Sequence, residues 1–403
     1  MKKTLLTICL VWMCFSLSAQ KIIDLSGKWS FSIDRQDNGE KEKWFSHTLN
    51  DFINLPGSMP EKLKGDEVTA KTQWTGSLYD SSYYYNPYME KYRKEGNIKF
   101  PFFLTPDKHY VGAAWYQKEV NIPADWKGER ILLFLERPHI ETTVWVNGQK
   151  TGMQNSLCVP HQYDITHYVR PGKCTITIRV DNRIKEINVG PDSHSITDQT
   201  QGNWNGIVGR ICLQTTPKTY FDDIQIYPEP EQKLARVKVV IKGTGTAKVK
   251  LSAESFNTDK KHIVPAIQQE IKLNKGVTET EMVLPMGNDM LLWDEFHPAL
   301  YKLKAEVTNG KKTEIKEIQF GMRRFEIKGK WFYVNGRKTQ LRGTVENCDF
   351  PLTGYAPMDV ESWERVFRIC RSYGLNHMRF HSFCPPEAAF MAADRVGFYL
   401  QPE

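Results

Sequence analysis

The sequence predicts a multidomain, largely β chain: two antiparallel sandwiches in series, then the opening of a parallel βα domain. Three observations predict it. Residues 21–218 read as many short strands with no helix between them. Residues 219–325 continue in strands after a change of character at Pro217-Lys218. From about Phe325 the apolar period lengthens from two toward 3.6. At 403 residues the chain has room for about two or three domains.

In the first module, Trp29 to Ile33, Trp115 to Val120, Ile131 to Leu135, Thr142 to Val146 and Thr175 to Val180 are strand candidates, several alternating apolar and polar. Pro56-Gly57, Asn147-Gly148 and Pro171-Gly172 mark turns, and Asn-Gly directly after Val144-Trp145-Val146 is a hairpin signal. Strands without helices over residues 20–218 predict a two-sheet sandwich of jelly-roll type. Within it, residues 74–110 form an aromatic, weakly periodic stretch with Tyr79, Tyr83 to Tyr85, Tyr88, Phe100, Phe102 and Phe103. A loop of that length is usually functional or mobile, and its tyrosines suit either a packed loop or stacking on sugar rings.

Residues 219–325 carry strands Val237 to Ile241, Ala247 to Ala253, Glu281 to Leu284 and Tyr301 to Val307 between Gly-, Asn- and Lys-rich turns, the spacing of a small immunoglobulin-like sandwich. Residues 326–403 then read as a hairpin around Asn335-Gly336, a strand over Thr339 to Arg342, a helix capped by Asp359 and ended by Gly374, and a strand over Leu375 to Phe380. A second helix, Glu387 to Val396, follows Pro385-Pro386 and stops at Gly397, before a third strand, Phe398 to Leu400. This βαβαβ order implies parallel strands covered by helices, as in a barrel or a doubly wound sheet. Three strands would leave a sheet edge and apolar helix faces uncovered, so the chain is expected to be the N-terminal part of a longer protein.

Lys2 and Lys3, the apolar run Leu5 to Leu17, and the small residues Ser18 and Ala19 read as a secretory signal over residues 1–19, cut after Ala19, which implies a secreted or periplasmic protein. The run is shorter than a membrane helix needs, and no membrane association is expected after its removal. The formal net charge of +7, with lysines interleaved among acids, excludes a nucleic-acid partner. A hydrophobic share of 40 % with 12 % aromatic residues excludes disorder and coiled coil. Past the signal remain Cys158, Cys174, Cys212, Cys348, Cys370 and Cys384, with no zinc spacing. Buried thiols are the simpler reading, and one disulfide could form in an oxidising compartment.

Several stretches, in this order, resemble glycoside hydrolase family 2, the group of β-galactosidase, β-glucuronidase and β-mannosidase. Asp24-Leu25-Ser26-Gly27-Lys28-Trp29, Trp115-Tyr116, Thr142 to Gly148, Tyr163 to Thr166 and Trp204 to Ile211 are similar to its sugar-binding jelly roll. Leu292 to Tyr301 resembles the close of its immunoglobulin-like domain. Phe320 to Arg324, Val334-Asn335-Gly336 and Leu341-Arg342-Gly343 resemble the lead-in to its catalytic (β/α)8 TIM barrel, of which this chain would hold the first part. The resemblance implies a retaining exo-β-glycosidase acting on terminal β-linked sugars, galactose first, of an oligosaccharide or glycan, and is compatible with a homo-oligomer.

By the same resemblance the acid/base and nucleophile follow barrel strands four and seven, so no catalytic residue is assigned within residues 1–403 and the chain alone is expected to be inert. Expected substrate-binding residues are Asp198, Asn203 and Asn205 flanking Trp204, and Arg342, Asn347, Asp349, Arg379 and His381 at strand ends. Asn347 takes a place where many members carry histidine, and His381-Ser382 replaces the usual Ser-His order. Glu403 aligns with an acid that binds a divalent metal in some relatives, while no cofactor is required. Each expectation has a plainer counterpart. Arg342 and Arg379 suit structural ion pairs with Asp349 or Glu403, His381 a hydrogen-bonded strand-end histidine, and Asp198 to Asn205 a solvated loop. The alternative for the whole chain is a non-catalytic carbohydrate-binding module or scaffold of two sandwiches.

Overall fold

The computed structural model describes residues 20–76, 81–100, 105–185, 193–350 and 352–403. The signal expected over residues 1–19, together with Tyr79, Phe102 and Phe103 of the aromatic stretch, lies outside the described residues. No described helix is long and apolar enough to cross a membrane.

The first module is two antiparallel sheets closed over one core. One sheet runs Ile22–Asp24, Gly206–Thr216, Arg130–His139, His161–Asp164, with Gly57–Ser58 paired to Gly206–Thr216. The other runs Gln149–Asn155, Glu141–Val146, Gly172–Asp181, Ala113–Ile122, Gly27–Asp34, Asp51–Leu55. Alternation places Trp29, Phe31, Tyr116, Ile176 and Ile178 of one sheet against Leu133, Leu135, Ile211 and Leu213 of the other, all buried. Each such side chain contributes about 1.5–3 kcal/mol on burial. The expected hairpin is present: Asn147 and Gly148 both have positive φ (51° and 78°), the two-residue turn that matches strand twist. On the outer face Trp115 and Trp145 are covered by Phe45, whose ring stacks on Trp145 at 5.2 Å.

The second module departs from its expected strand list. Val237 to Ile241 and Ala247 to Ala253 are halves of one strand, Leu234–Phe256, paired along its length with Ile263–Pro285. The register slips between Gly243 and Gly245. The first half pairs with Tyr220–Glu229 and the second with Leu300–Asn309, which in turn pairs with Lys312–Phe320. The sheet folds over until its outer strands meet: the Phe221 amide donates to Glu314 Oε2 at 2.6 Å, and Lys316 Nζ donates to the Phe221 carbonyl at 2.6 Å. Alternating Val237, Val239, Ile241, Val249, Leu251, Leu303 and Val307 fill the interior.

A three-stranded antiparallel meander, Phe325–Lys328, Trp331–Val334, Arg337–Thr339, leads into parallel strands Gly343–Glu346, His377–Phe380 and Tyr399–Gln401. Helices Val360–Ser372 and Glu387–Val396 connect them, as the periodicity predicts. Asp359 Oδ1 accepts from the Ser362 amide at 2.7 Å, worth about 1 kcal/mol as a cap. Gly397 ends the second helix at φ 77°, where an added Cβ would sit 2.6 Å from the Glu295 carbonyl. Met378, Phe380 and Leu400 face the helices with Trp363 and Phe367. Val345, Arg379 and Gln401, in register, line the opposite face.

The strand expected over Thr339 to Arg342 is displaced. Thr339 ends the meander, residues 340–342 are a connection, and the parallel strand starts at Gly343. The cause is Asn376, whose Oδ1 accepts from the Arg342 amide at 2.7 Å while its Nδ2 donates to the Gln340 carbonyl at 3.1 Å. A distant side chain thus satisfies backbone that a ladder would otherwise occupy.

Candidate functional site

The C-terminal ends of the parallel strands turn toward the first sandwich. After Gly343–Glu346 come Asn347, Cys348 and Asp349; after His377–Phe380 come His381 and Ser382; after Tyr399–Gln401 comes Glu403. Arg379 grips Glu403 with both ends of its fork (Nε to Oε1 2.5 Å, Nη2 to Oε2 2.9 Å), and Ser382 Oγ donates to the same carboxylate at 3.2 Å. These donors hold the Glu403 carboxyl below the usual range. The ion pair expected for Arg379 is therefore present. His381 Nδ1 lies 3.3 Å from Asn347 Oδ1, and its ring meets His194 edge to face at 4.2 Å. Burial first, then the neighbouring Glu346, pushes the Asp349 carboxyl up to about 6.

The sandwich answers with residues 193–205. Asp198, its side chain 7 % exposed, accepts from the Thr75 amide (2.7 Å), the Asn203 amide (3.0 Å) and His109 Nε2 (3.0 Å). Asn203 Nδ2 donates to Thr75 Oγ1 at 3.0 Å, and its Oδ1 lies 3.2 Å from His139 Nε2. Burial holds His139 neutral, its pKa pushed down to about 3. The Trp204 ring stacks on His139 at 4.5 Å and meets Tyr355 of the βα unit at 5.6 Å. Gln201 Nε2 donates to the His381 carbonyl at 2.9 Å, Ser58 Oγ to the Thr353 carbonyl at 2.7 Å, and Tyr355 OH to Glu61 Oε2 at 3.0 Å. Between the modules lies a cleft of about 100 Å3, bordered by Glu61, Trp74, Asp198, Asn203, Trp204 and Phe350.

The structure brings together Asp198, Asn203, Asn347, Asp349, Arg379 and His381 on this side of the molecule; two expected binders fall elsewhere. Asn205 is fully buried, with Oδ1 accepting from Tyr116 OH (2.8 Å) and Nδ2 donating to the Gly112 (2.9 Å) and Val180 (3.0 Å) carbonyls. Every polar atom of its side chain is used inside the sandwich, so it anchors the loop and has nothing to offer a sugar. Arg342 precedes its strand and lies at the opposite end of the sheet, where it donates to the Gly374 carbonyl at 2.7 Å and pairs with Glu295 at 3.8 Å, not with Asp349 or Glu403. It moves there because the strand starts at Gly343. Glu403, expected as a metal ligand, is neutralised by a guanidinium, and no group of three or more His, Cys, Asp or Glu side chains among the described residues could hold a metal. That donor set does not fit a divalent ion. His194, Gln201, Trp74 and His109 carry no signal in their spacing; only the fold brings Trp74 and His109 to the cleft and His194 and Gln201 to His381.

Comparison with known proteins agrees with this arrangement. Residues 22–217 match the family description "Glycosyl hydrolases family 2, sugar binding domain", and residues 219–323 match "Glycosyl hydrolases family 2". The chain belongs to glycosyl hydrolase family 2. Among its family 2 relatives, human β-glucuronidase is 23 % identical over 418 residues, covering 94 % of this chain and 56 % of its own length. The β-galactosidase large subunit of Latilactobacillus sakei is 23 % identical over 389 residues, covering 94 % and 58 %. A β-glucuronidase of Ruminococcus gnavus, solved in complex with D-glucaro-d-lactam, shares the fold at TM-score 0.69 and 19 % identity, over 96 % of this chain and 60 % of that one. The chain spans between 35 % and 58 % of the length of these curated relatives.

Proposed function

We propose that this chain is the N-terminal part of an exported, retaining exo-β-glycosidase that removes terminal β-linked galactose from oligosaccharides or glycans. In this reading the first sandwich is a jelly-roll sugar-binding domain, the second is immunoglobulin-like, and the three parallel strands are the first staves of a (β/α)8 barrel. The loops after those staves, with residues 193–205, form one wall of the sugar site. Double displacement needs two carboxyls about 5–5.5 Å apart. Asp349 is half-neutral near pH 6 and Glu403 is bound to Arg379. Glu403 is therefore not a free nucleophile, and by the family resemblance the two catalytic acids are assigned to later strands. What this wall does is hold hydroxyls and exclude water.

The choice of a neutral sugar rests on the cleft wall. Its charged side chains are Glu61, Asp107 and Asp198, and no Lys or Arg borders it among the described residues. Lys62, the cation beside these acids, is already engaged by Glu61 at 2.7 Å, so a uronate would meet acids with no described Lys or Arg lining the cleft, whereas the hydroxyls of galactose match carboxylate and amide acceptors. The test is a panel of nitrophenyl β-glycosides given to the intact protein, with the 403-residue chain as control. Galactoside turnover exceeding glucuronide turnover, with none by the chain alone, is expected. A preference for glucuronide would overturn the sugar assignment, and turnover by the isolated chain would overturn the placement of the catalytic acids.

A further inference from the structure

We infer that Cys158 and Cys384 are a reactive dithiol, which a low-molecular-weight disulfide converts into a covalent bond between the first sandwich and the loop carrying His381. Nothing in the galactosidase reading requires this. Cys158 lies in the exposed connection between Gln149–Asn155 and His161–Asp164, and Cys384 in the loop between Phe380 and helix Glu387–Val396. The two are 226 residues apart in sequence by their numbering, yet one guanidinium nitrogen touches both: Arg137 Nη2 lies 3.9 Å from Cys158 Sγ and 2.7 Å from the Cys384 carbonyl.

Arg137 organises the pair. It is 8 % exposed; its Nη2 donates to the Cys384 carbonyl at 2.7 Å and lies 3.9 Å from Cys158 Sγ, and its guanidinium sits 4.6 Å over the Phe383 ring. Nη1 is buried without a hydrogen-bond partner, and no carboxylate pairs with Arg137 among the described residues. The adjacent Glu136 is committed to Arg210 at 2.9 Å. A buried guanidinium without a counter-charge is costly, and a thiolate at Cys158 supplies the missing anion. Accordingly, the neighbouring Cys384 and the Arg137 charge, working against burial, draw the Cys158 thiol to lower pKa, while the neighbouring Cys158 and burial push Cys384 up. One cysteine is the attacking thiolate and the other the resolving thiol. Cys174, Cys212, Cys348 and Cys370 are all pushed up, by burial first, and are poor nucleophiles.

The chemistry is thiol–disulfide exchange. The Cys158 thiolate attacks one sulfur of the small disulfide, and the other sulfur leaves as thiolate with the bonding pair. Cys384 then gives its proton to solvent and attacks the Cys158 sulfur of the mixed disulfide, expelling the second small thiolate. Two protein thiols are oxidised, and one small disulfide is reduced to two thiols.

The test treats the reduced 403-residue chain with oxidised glutathione, counts free thiols after denaturation and maps linked peptides by mass spectrometry. The expected result is loss of two thiols and one cross-link, Cys158 to Cys384. C384S should stop at the glutathione adduct of Cys158. Iodoacetamide should label Cys158 of C384S on the order of tenfold faster than Cys370 at neutral pH, an advantage that R137M removes. A persistent adduct in the unmutated chain, a cross-link through Cys348, or Cys158 labelling no faster than Cys370 would each overturn the inference, whether or not R137M folds.

Discussion

Replacing Asp198 by Ala removes the anchor of the loop that forms the sandwich side of the cleft. Its carboxylate receives the Thr75 and Asn203 amides and His109 Nε2 at 2.7–3.0 Å, and its side chain is 7 % exposed, so water does not compete well for those donors. Hydrogen bonds to a charged group contribute about 1.5–3 kcal/mol, and a stranded buried donor costs about 1–3 kcal/mol. Counting only the two amides at their lower bound gives about 3 kcal/mol, or about a hundredfold in the opening equilibrium of the loop. Amide hydrogen exchange reads this directly. Protection at Thr75 and Asn203 should fall about a hundredfold in Asp198→Ala, while Ala113–Ile122 and Gly172–Asp181 keep theirs, because the sheets do not depend on the loop. Asp198→Asn retains one acceptor oxygen and should lose about half the effect in kcal/mol. Protection within about threefold of the unmutated chain, the range of an ordinary surface change, would refute the assignment of Asp198 as the anchor.

Two further outcomes follow from the βα unit. The Asp349 carboxyl is raised from about 3.9 in the unfolded chain to about 6, so folding favours its protonated form: the associated stability is full below pH ~4 and is lost as pH rises through 6. Asp349→Asn should therefore raise Tm at pH 7 and leave it unchanged at pH 4, and identical shifts at both pH values would contradict that sign. Asn376 is 1 % exposed and ties the Arg342 amide and Gln340 carbonyl to Glu295 Oε2, 2.5 Å from its Nδ2. Asn376→Ala strands the Arg342 amide and leaves the buried Glu295 carboxylate with only the 3.8 Å contact to Arg342, and should cost about 3 kcal/mol in urea unfolding. A loss below about 1 kcal/mol would mean that water or backbone movement replaces the side chain.

How far the sequence could be read depended on the range of the forces at each point. Helix Val360–Ser372 was legible because its signals are local: Asp359 caps a neighbour three residues on, apolar residues recur each turn, and Glu364 meets Arg368 at 3.0 Å one turn later. The strand before it was misplaced because Asn376, 34 residues downstream of Arg342, decides where pairing begins. The break at Gly243-Thr244-Gly245 looked like a turn between two strands, since glycine marks a hairpin and a bend alike; only pairing with one continuous partner distinguishes them. Asn205 and Asp198 both looked like loop polarity. One is an internal strut and the other edges the cleft, a difference of a few ångströms that composition does not carry.

The order of modules, the strand periodicity, the two covering helices and the membership of the polar residues at strand ends were set by the sequence itself, because side-chain period and capping act over a turn or two of chain. The meeting of Gln201 with His381, the loss of Arg342 to the far end of the sheet, the choice of Glu403 over Asp349 as the partner of Arg379 and the placement of Cys158 beside Cys384 under Arg137 were decided by the tertiary structure alone. Those contacts join residues far apart in the chain, and they exist only once two hydrophobic cores have fixed the position of one module against the other.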